Sequence, residues 1–166
     1  MKYKLLLLFL ASGLIFSCSK DDDNNDTEAV ENSIVGEWQM TELQINNETA
    51  SDNAKFGKQI LDVLTERECF ILTFNFEADL SVTAENSADY LTINATASGL
   101  DIPCPDQSDT SASTYTYDGS VLTTIDENGE TLTVDVTING DTMTVDATDL
   151  GIDNFNDEGQ LIFKKK

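Results

Sequence analysis

The stretch TLTVDVTI, residues 131 to 138, constrains the fold more than any other part of the chain. Leu132, Val134, Val136 and Ile138 alternate with Thr131, Thr133, Asp135 and Thr137. Such a period of two puts every apolar side chain on one face, the signature of a half-buried antiparallel strand. Residues 141 to 148, DTMTVDAT, repeat the pattern with Met143, Val145 and Ala147, and Asn139-Gly140 stands between the two runs. Asn-Gly supplies the positive φ angles of a two-residue hairpin, so the runs pair back to back. Asp118-Gly119 and Asn128-Gly129 mark two further turns. ECFILTFNF, 68 to 76, places Phe70, Leu72, Phe74 and Phe76 on one face, with Cys69, Thr73 and Asn75 opposite and Ile71 out of pattern. Further strands are expected at 34 to 46, 79 to 85, 112 to 117, 120 to 126 and 160 to 165, with a weaker one at 89 to 97. One helix interrupts them over 51 to 65. Ser51 can cap it, and Phe56, Ile60 and Leu64, with Leu61 beside them, form an apolar stripe about three turns long. The chain is all-β with one short helix after the first strand.

The first residues do not belong to that fold. Lys2 and Lys4 precede an almost wholly apolar run from Leu5 to Phe16. A membrane span needs roughly 20 residues, so this run reads as an export signal covering 1–17. Leu14-Ile15-Phe16-Ser17-Cys18 resembles a bacterial lipobox, which implies diacylglycerol on the Cys18 sulfur and further acylation of the new amino terminus. Each buried methylene contributes about 0.8 kcal/mol, so several chains anchor firmly. The mature protein is expected to be attached to a membrane rather than to span it. CSKDDDNND is similar to the export tag of surface lipoproteins in Bacteroidota, matched by Cys18, Lys20, Asp21 and Asp22. That resemblance implies an outer-membrane lipoprotein on the cell surface; a plain solvated tether is the alternative. Both readings make 18–32 an acidic tether and 33–166 a single folded domain.

Charge narrows the partners. The 166 residues carry 31 acidic and 9 basic side chains, a formal charge of −22, which becomes −24 once Lys2 and Lys4 leave with the signal. Polyphosphate binding needs clustered Lys and Arg, so nucleic acid is excluded. The expected partners are the membrane through its lipid anchor, a small apolar ligand, or an outer-membrane protein.

An exported chain meets an oxidising compartment, where the two remaining cysteines, Cys69 and Cys104, are expected to pair. Zinc is the rival for these thiols, but two cysteines and no histidine cannot complete a four-ligand site. The missing histidine also removes the commonest general base and the usual triads. No acid stands out among 31, so no catalytic residue, metal site or cofactor is assigned. NFNDEG, 154 to 159, mimics the first half of a calcium loop, but Lys165 occupies the place of its closing glutamate.

IVGEWQMTEL opens the first strand with Gly36-x-Trp38, which is similar to the lipocalin signature. The resemblance implies an eight-stranded antiparallel up-and-down barrel. In it the glycine turns the chain into strand one, the tryptophan plugs the closed end, and a basic residue of the last strand, Lys164 or Lys165, packs over it. A β-sandwich remains the alternative. Consecutive barrel strands alternate direction, so Cys69 lies at the open rim. Cys104 reaches it only if 86 to 111 form an excursion there rather than a strand, because a disulfide needs Cα atoms within about 7 Å. Phe70, Phe74, Val134, Val136, Met143 and Val145 would line the interior, with the helix across the mouth as a lid. Two functions remain: binding of a small apolar ligand inside the barrel, or a surface interaction or uptake-accessory module with a packed core.

Overall fold

The computed structural model describes residues 33–97, 99–150 and 157–166. The expected signal and most of the expected tether lie outside these residues. The elements run in chain order as β1 (Gly36–Ile45), α1 (Asp52–Glu66), β2 (Leu72–Phe76), β3 (Ser81–Asn86), β4 (Asn94–Thr96), β5 (Gly99–Asp101), β6 (Asp109–Tyr117), β7 (Val121–Asp126), β8 (Thr131–Asn139), β9 (Thr142–Asp146) and β10 (Gly159–Lys165), with a single 3-10 turn at Ala88–Tyr90. Eight of the strands close into a barrel in the order β1-β10-β9-β8-β7-β6-β3-β2. Every neighbouring pair in it is antiparallel. Closure leaves the barrel itself without an open sheet edge. The barrel, not the sandwich, is therefore the architecture.

The two ends differ. Turns 77–80, 118–120 and 140–141 gather at one end with the start of β1 and the end of β10. The other end carries α1, the excursion between β3 and β6, the turn 127–130 and the β9–β10 connection. The excursion holds β4 and β5, which pair only with each other, so the region weakly expected as a strand at 89 to 97 adds nothing to the barrel. It sends Ile102 back into the core, where that side chain is buried. The Cys69–Cys104 disulfide ties it to the segment after α1, with Cα atoms 5.6 Å apart.

Two local features depart from simple alternation. In β1 the inward residues are Trp38, Met40, Leu43 and Ile45, a step of three replacing one step of two. Thr41 is the extra residue, and the register against β10 jumps from Met40↔Phe163 to Glu42↔Ile162. This is a β-bulge. The bulge carbonyl of Thr41 accepts from the Thr65 hydroxyl of α1 at 3.0 Å, while the Thr41 hydroxyl donates to the Ile162 carbonyl at 3.2 Å. The second feature corrects the start of β2. Residues 68 to 71 are not strand, because they finish the helix: Glu68 N–H donates to the Thr65 carbonyl and Cys69 N–H to the Leu64 carbonyl, both at 2.9 Å. Glu68 lies at φ 59. That pairing around a left-handed residue is the Schellman termination, and it delays the extended chain until Leu72.

The helix is rotated from its expected stripe. Its buried residues are Ala54, Leu61 and Leu64, with Ile60 partly buried, whereas Phe56 is 41 % exposed. Gly57, Leu61 and Leu64 share the face turned to the barrel, and Phe56 lies about 100° round the helix from Gly57. Leu61 and Leu64 join the same core cluster as the barrel's inward residues.

Candidate functional site

The closed end is built from register. β1 and β10 pair so that Trp38 faces Lys165 and Gln39 faces Lys164. Trp38 is completely buried, and its indole N–H donates to the Ile34 carbonyl at 2.7 Å. The Lys165 ammonium lies 5.0 Å from the centre of the Trp38 ring and donates to the Ser33 carbonyl at 3.0 Å. A cation over an indole face is attracted by the ring quadrupole. Lys164 instead turns to the Thr142 hydroxyl. Gly36 sits at φ 130, and a Cβ there would meet Lys165 Cε at 2.7 Å. The glycine therefore supplies both the backbone angle and the space that the lysine stem crosses.

Above this plug lies an aromatic layer. Phe74 packs on Phe163 with ring centres 5.4 Å apart and on Phe76 at 6.0 Å, and Phe76 meets Tyr115 edge-on at 5.0 Å. The Tyr115 hydroxyl donates to the Glu77 carbonyl at 2.9 Å. Burial pushes the Tyr115 phenol above its ordinary value, aided by the nearby Asp79 and Glu77 charges. Tyr115 was not singled out by the sequence, although its inward parity in β6 follows once the strand's register is known.

On the open side of this layer is a cavity of about 200 Å³. Phe74, Val134 and Met143 line it, joined by Phe76, Val82, Leu122 and Leu132. Three of the six residues expected to line the interior do not border this cavity. Phe70 falls in the helix termination and outside the barrel strands. Val136 and Val145 are buried directly opposite one another in the β8–β9 ladder, packed in the core. The wall is also less uniformly apolar than expected, because β6 and β7 contribute Ser111, Ser113 and Thr124. The strand was expected only from 112, and in TSAST, 110 to 114, the small hydroxyls give no apolar signal to mark the inward side.

The helix is not a lid on this cavity. No α1 residue touches it; the β9–β10 connection supplies Leu150 instead. α1 plugs the β1, β2 and β10 side, leaving its own apolar hollow of about 280 Å³ beside Met40, Leu43, Gly57, Leu61, Leu72 and Leu161. The N-terminus of α1 is tied to the end of the β9–β10 connection. Asp157 accepts from the Ser51 amide at 2.7 Å and from the Ser51 hydroxyl at 2.6 Å. Those bonds, the hydroxyl's first, hold the Asp157 carboxyl below its ordinary value. The calcium-like stretch at 154 to 159 lies mostly outside the described residues, and among those described no group of three acidic or cysteine side chains could hold a metal ion. Among them, too, no helix is long and apolar enough to cross a membrane.

No curated protein and no solved structure matches this chain. The family model for the lipocalin-like domain matches residues 34–145, from the residue that accepts the Trp38 indole bond to the end of the β8–β9 hairpin. The matched region holds Gly36, Trp38 and most of the cavity wall; β10, which closes the barrel and brings Lys165 over Trp38, follows it. With the Gly-x-Trp start, the eight-stranded closed barrel and this match together, the chain belongs to the lipocalin-like domain family.

Proposed function

We propose that this protein is a lipid-anchored lipoprotein of the outer membrane and cell surface, and that its barrel holds a small apolar molecule. Lipocalin-like domains are typically binding proteins rather than enzymes, which supports the second half of the reading. The observation that carries it is the cavity of about 200 Å³ with an apolar floor of Phe74, Phe76, Val134 and Met143. An engineered cavity of about 150 Å³ in another protein takes up benzene, so the space suits a single small ligand held by surface burial. The first half rests on sequence: the apolar run ending at Cys18 and the Lys20, Asp21, Asp22 tag.

Fluorobenzene followed by fluorine NMR tests the cavity. It should bind the purified protein saturably. Val134→Trp should fill the space and abolish binding with the fold intact, whereas Val136→Trp, which enters packed core, should destabilise by roughly 1 to 3 kcal/mol. No binding by the parent protein would end the carrier reading. For the anchor, Cys18→Ala should remove acyl mass and release the protein from the membrane fraction. Protease added to whole cells should digest the domain, and alanine at Lys20, Asp21 and Asp22 should protect it.

A second reading, an interaction module for an outer-membrane protein, is favoured by the rim excursion, where Ile93 and Leu100 stand exposed. Capture of the same membrane protein by the parent and not by an Ile93→Ser, Leu100→Ser variant would support it.

A further inference from the structure

The cavity has a polar side, and acids share the inward faces of the strands that form it. Ser111 and Ser113 of β6 and Thr124 of β7 reach it from adjacent strands, and none of their hydroxyls has a hydrogen-bond partner among the described residues. Ser111 and Leu132, near the open ends of β6 and β8, are both exposed and mark where the cavity meets the rim. The carboxylates share the inward parity of these strands. Asp126 stands directly opposite Ser113 in the β6–β7 ladder, and Asp109 is two residues before Ser111. Cross-strand partners have Cβ atoms about 5 Å apart. Asp126 is held in place by accepting from the amides of Asn128 at 2.9 Å and Glu130 at 2.8 Å, and Asp109 by accepting from the Tyr90 hydroxyl at 2.8 Å.

Among the described residues no cation balances them. Lys164 and Lys165 of β10 and Lys166 after it lie at the opposite end of the barrel, and Lys55 and Lys58 sit on α1, which does not touch the cavity. Arg67 donates to the Ile102 carbonyl at 2.7 Å and lies 3.8 Å from Asp101. Residues 151 to 156, beside Leu150, contain no Lys or Arg. A carboxylate entering this cavity would leave water for a site without a counter-ion and with acids at its mouth, which is costly. An uncharged head meets three hydroxyls able to donate or accept.

We propose that the cavity selects a small amphipathic molecule with an uncharged hydrogen-bonding head, such as an alcohol or ketone, seated on Ser111, Ser113 and Thr124, and that it rejects the corresponding carboxylic acid anion. This rests on the carrier reading above.

Displacement of fluorobenzene at pH 7.5 compares hexan-1-ol with hexanoate, two probes with the same chain length. Hexan-1-ol should compete at roughly a tenth of the hexanoate concentration or less. Ser113→Ala combined with Thr124→Val should weaken hexan-1-ol by roughly three- to tenfold more than it weakens fluorobenzene. Equal competition by hexanoate overturns the proposal, as does a Ser113→Ala, Thr124→Val variant that weakens hexan-1-ol no more than it weakens fluorobenzene. The first comparison needs no variant, so a folding defect cannot mask it. Failure of fluorobenzene itself to bind the parent is a different result: it removes the carrier reading, and the head-group selection with it.

Discussion

Gly36 shows how one residue serves both backbone and packing. At φ 130 it occupies a region that side chains rarely adopt, and the Lys165 stem passes where a Cβ would stand. Lys165 can move, being the far end of a flexible chain, so the backbone sets the cost. Gly36→Ala is expected to destabilise by about 1 to 3 kcal/mol in denaturant unfolding. Trp38 is the only tryptophan and is fully buried, so its fluorescence reports the plug directly. The same variant should alter that emission as Lys165 is displaced from the ring. Unchanged stability and emission would mean that the plug tolerates a side chain at this position.

At the scale of elements, the open end is assembled by ties between segments distant in sequence. Ser51 is both the helix cap, its oxygen accepting from Ala54 N–H at 3.2 Å, and the partner of Asp157. Ser51→Ala removes both bonds and should cost roughly 1 kcal/mol, with hydrogen exchange rising first in the amides of the first helical turn. The disulfide holds the rim excursion against the end of α1. In the chain-entropy model a loop of about 35 residues contributes roughly 3 to 4 kcal/mol. Cys69→Ser should therefore lower the melting temperature by roughly 6 to 12 °C. A shift of under a degree would show that Ile102 burial and the Arg67 bond already position the excursion without it.

For the whole molecule, charge dominates the response to solution conditions. The chain has no histidine, and Cys69 and Cys104 are paired, so the folded domain lacks the side chains that ordinarily titrate between pH 5.5 and 8. Melting temperature should be nearly flat across that interval. Below it, Asp79, Asp118, Asp126, Asp146 and Asp157 decide the outcome. Each accepts bonds in its own turn or at the helix cap and is held below the ordinary carboxylate value by those bonds. A carboxyl depressed in the folded state contributes stability that is complete above its unfolded value of about 3.9 and is lost as pH falls through the folded one. Stability should therefore drop below about pH 4. At neutral pH the large negative charge opposes compaction. Raising salt from about 0.01 to 0.15 M shortens the screening length from roughly 30 to 8 Å and should raise the melting temperature. A fall on adding salt would show that the three ion pairs among the described residues, Lys58–Asp62, Arg67–Asp101 and Lys166–Glu37, outweigh the repulsion.

How far these properties could be read in advance depended on whether they are local or long-range. The period of two in β8 and β9, the hairpin that joins them, the Ser51 cap and the opening Gly36-x-Trp38 are local, and the sequence by itself determined them. Cys69 and Cys104 added one long-range constraint, which put the chain between β3 and β6 at the rim, although β6 takes up 109 to 111 of the expected excursion. Three things escaped it. The bulge at Thr41 changes the inward phase within β1, and the Schellman turn at Glu68 keeps Phe70 out of β2, while Phe74 and Phe76 keep their expected face. Phe56 stands exposed because a stripe fixes spacing but not rotation, which here follows from what Leu61 and Leu64 pack against. The cavity itself was undecidable locally: Val134 and Val136 share a strand, a face and a residue type, yet one borders empty space and the other meets Val145. That difference is set by how side chains from six strands fill the same volume, and only the closed tertiary structure brings those strands together.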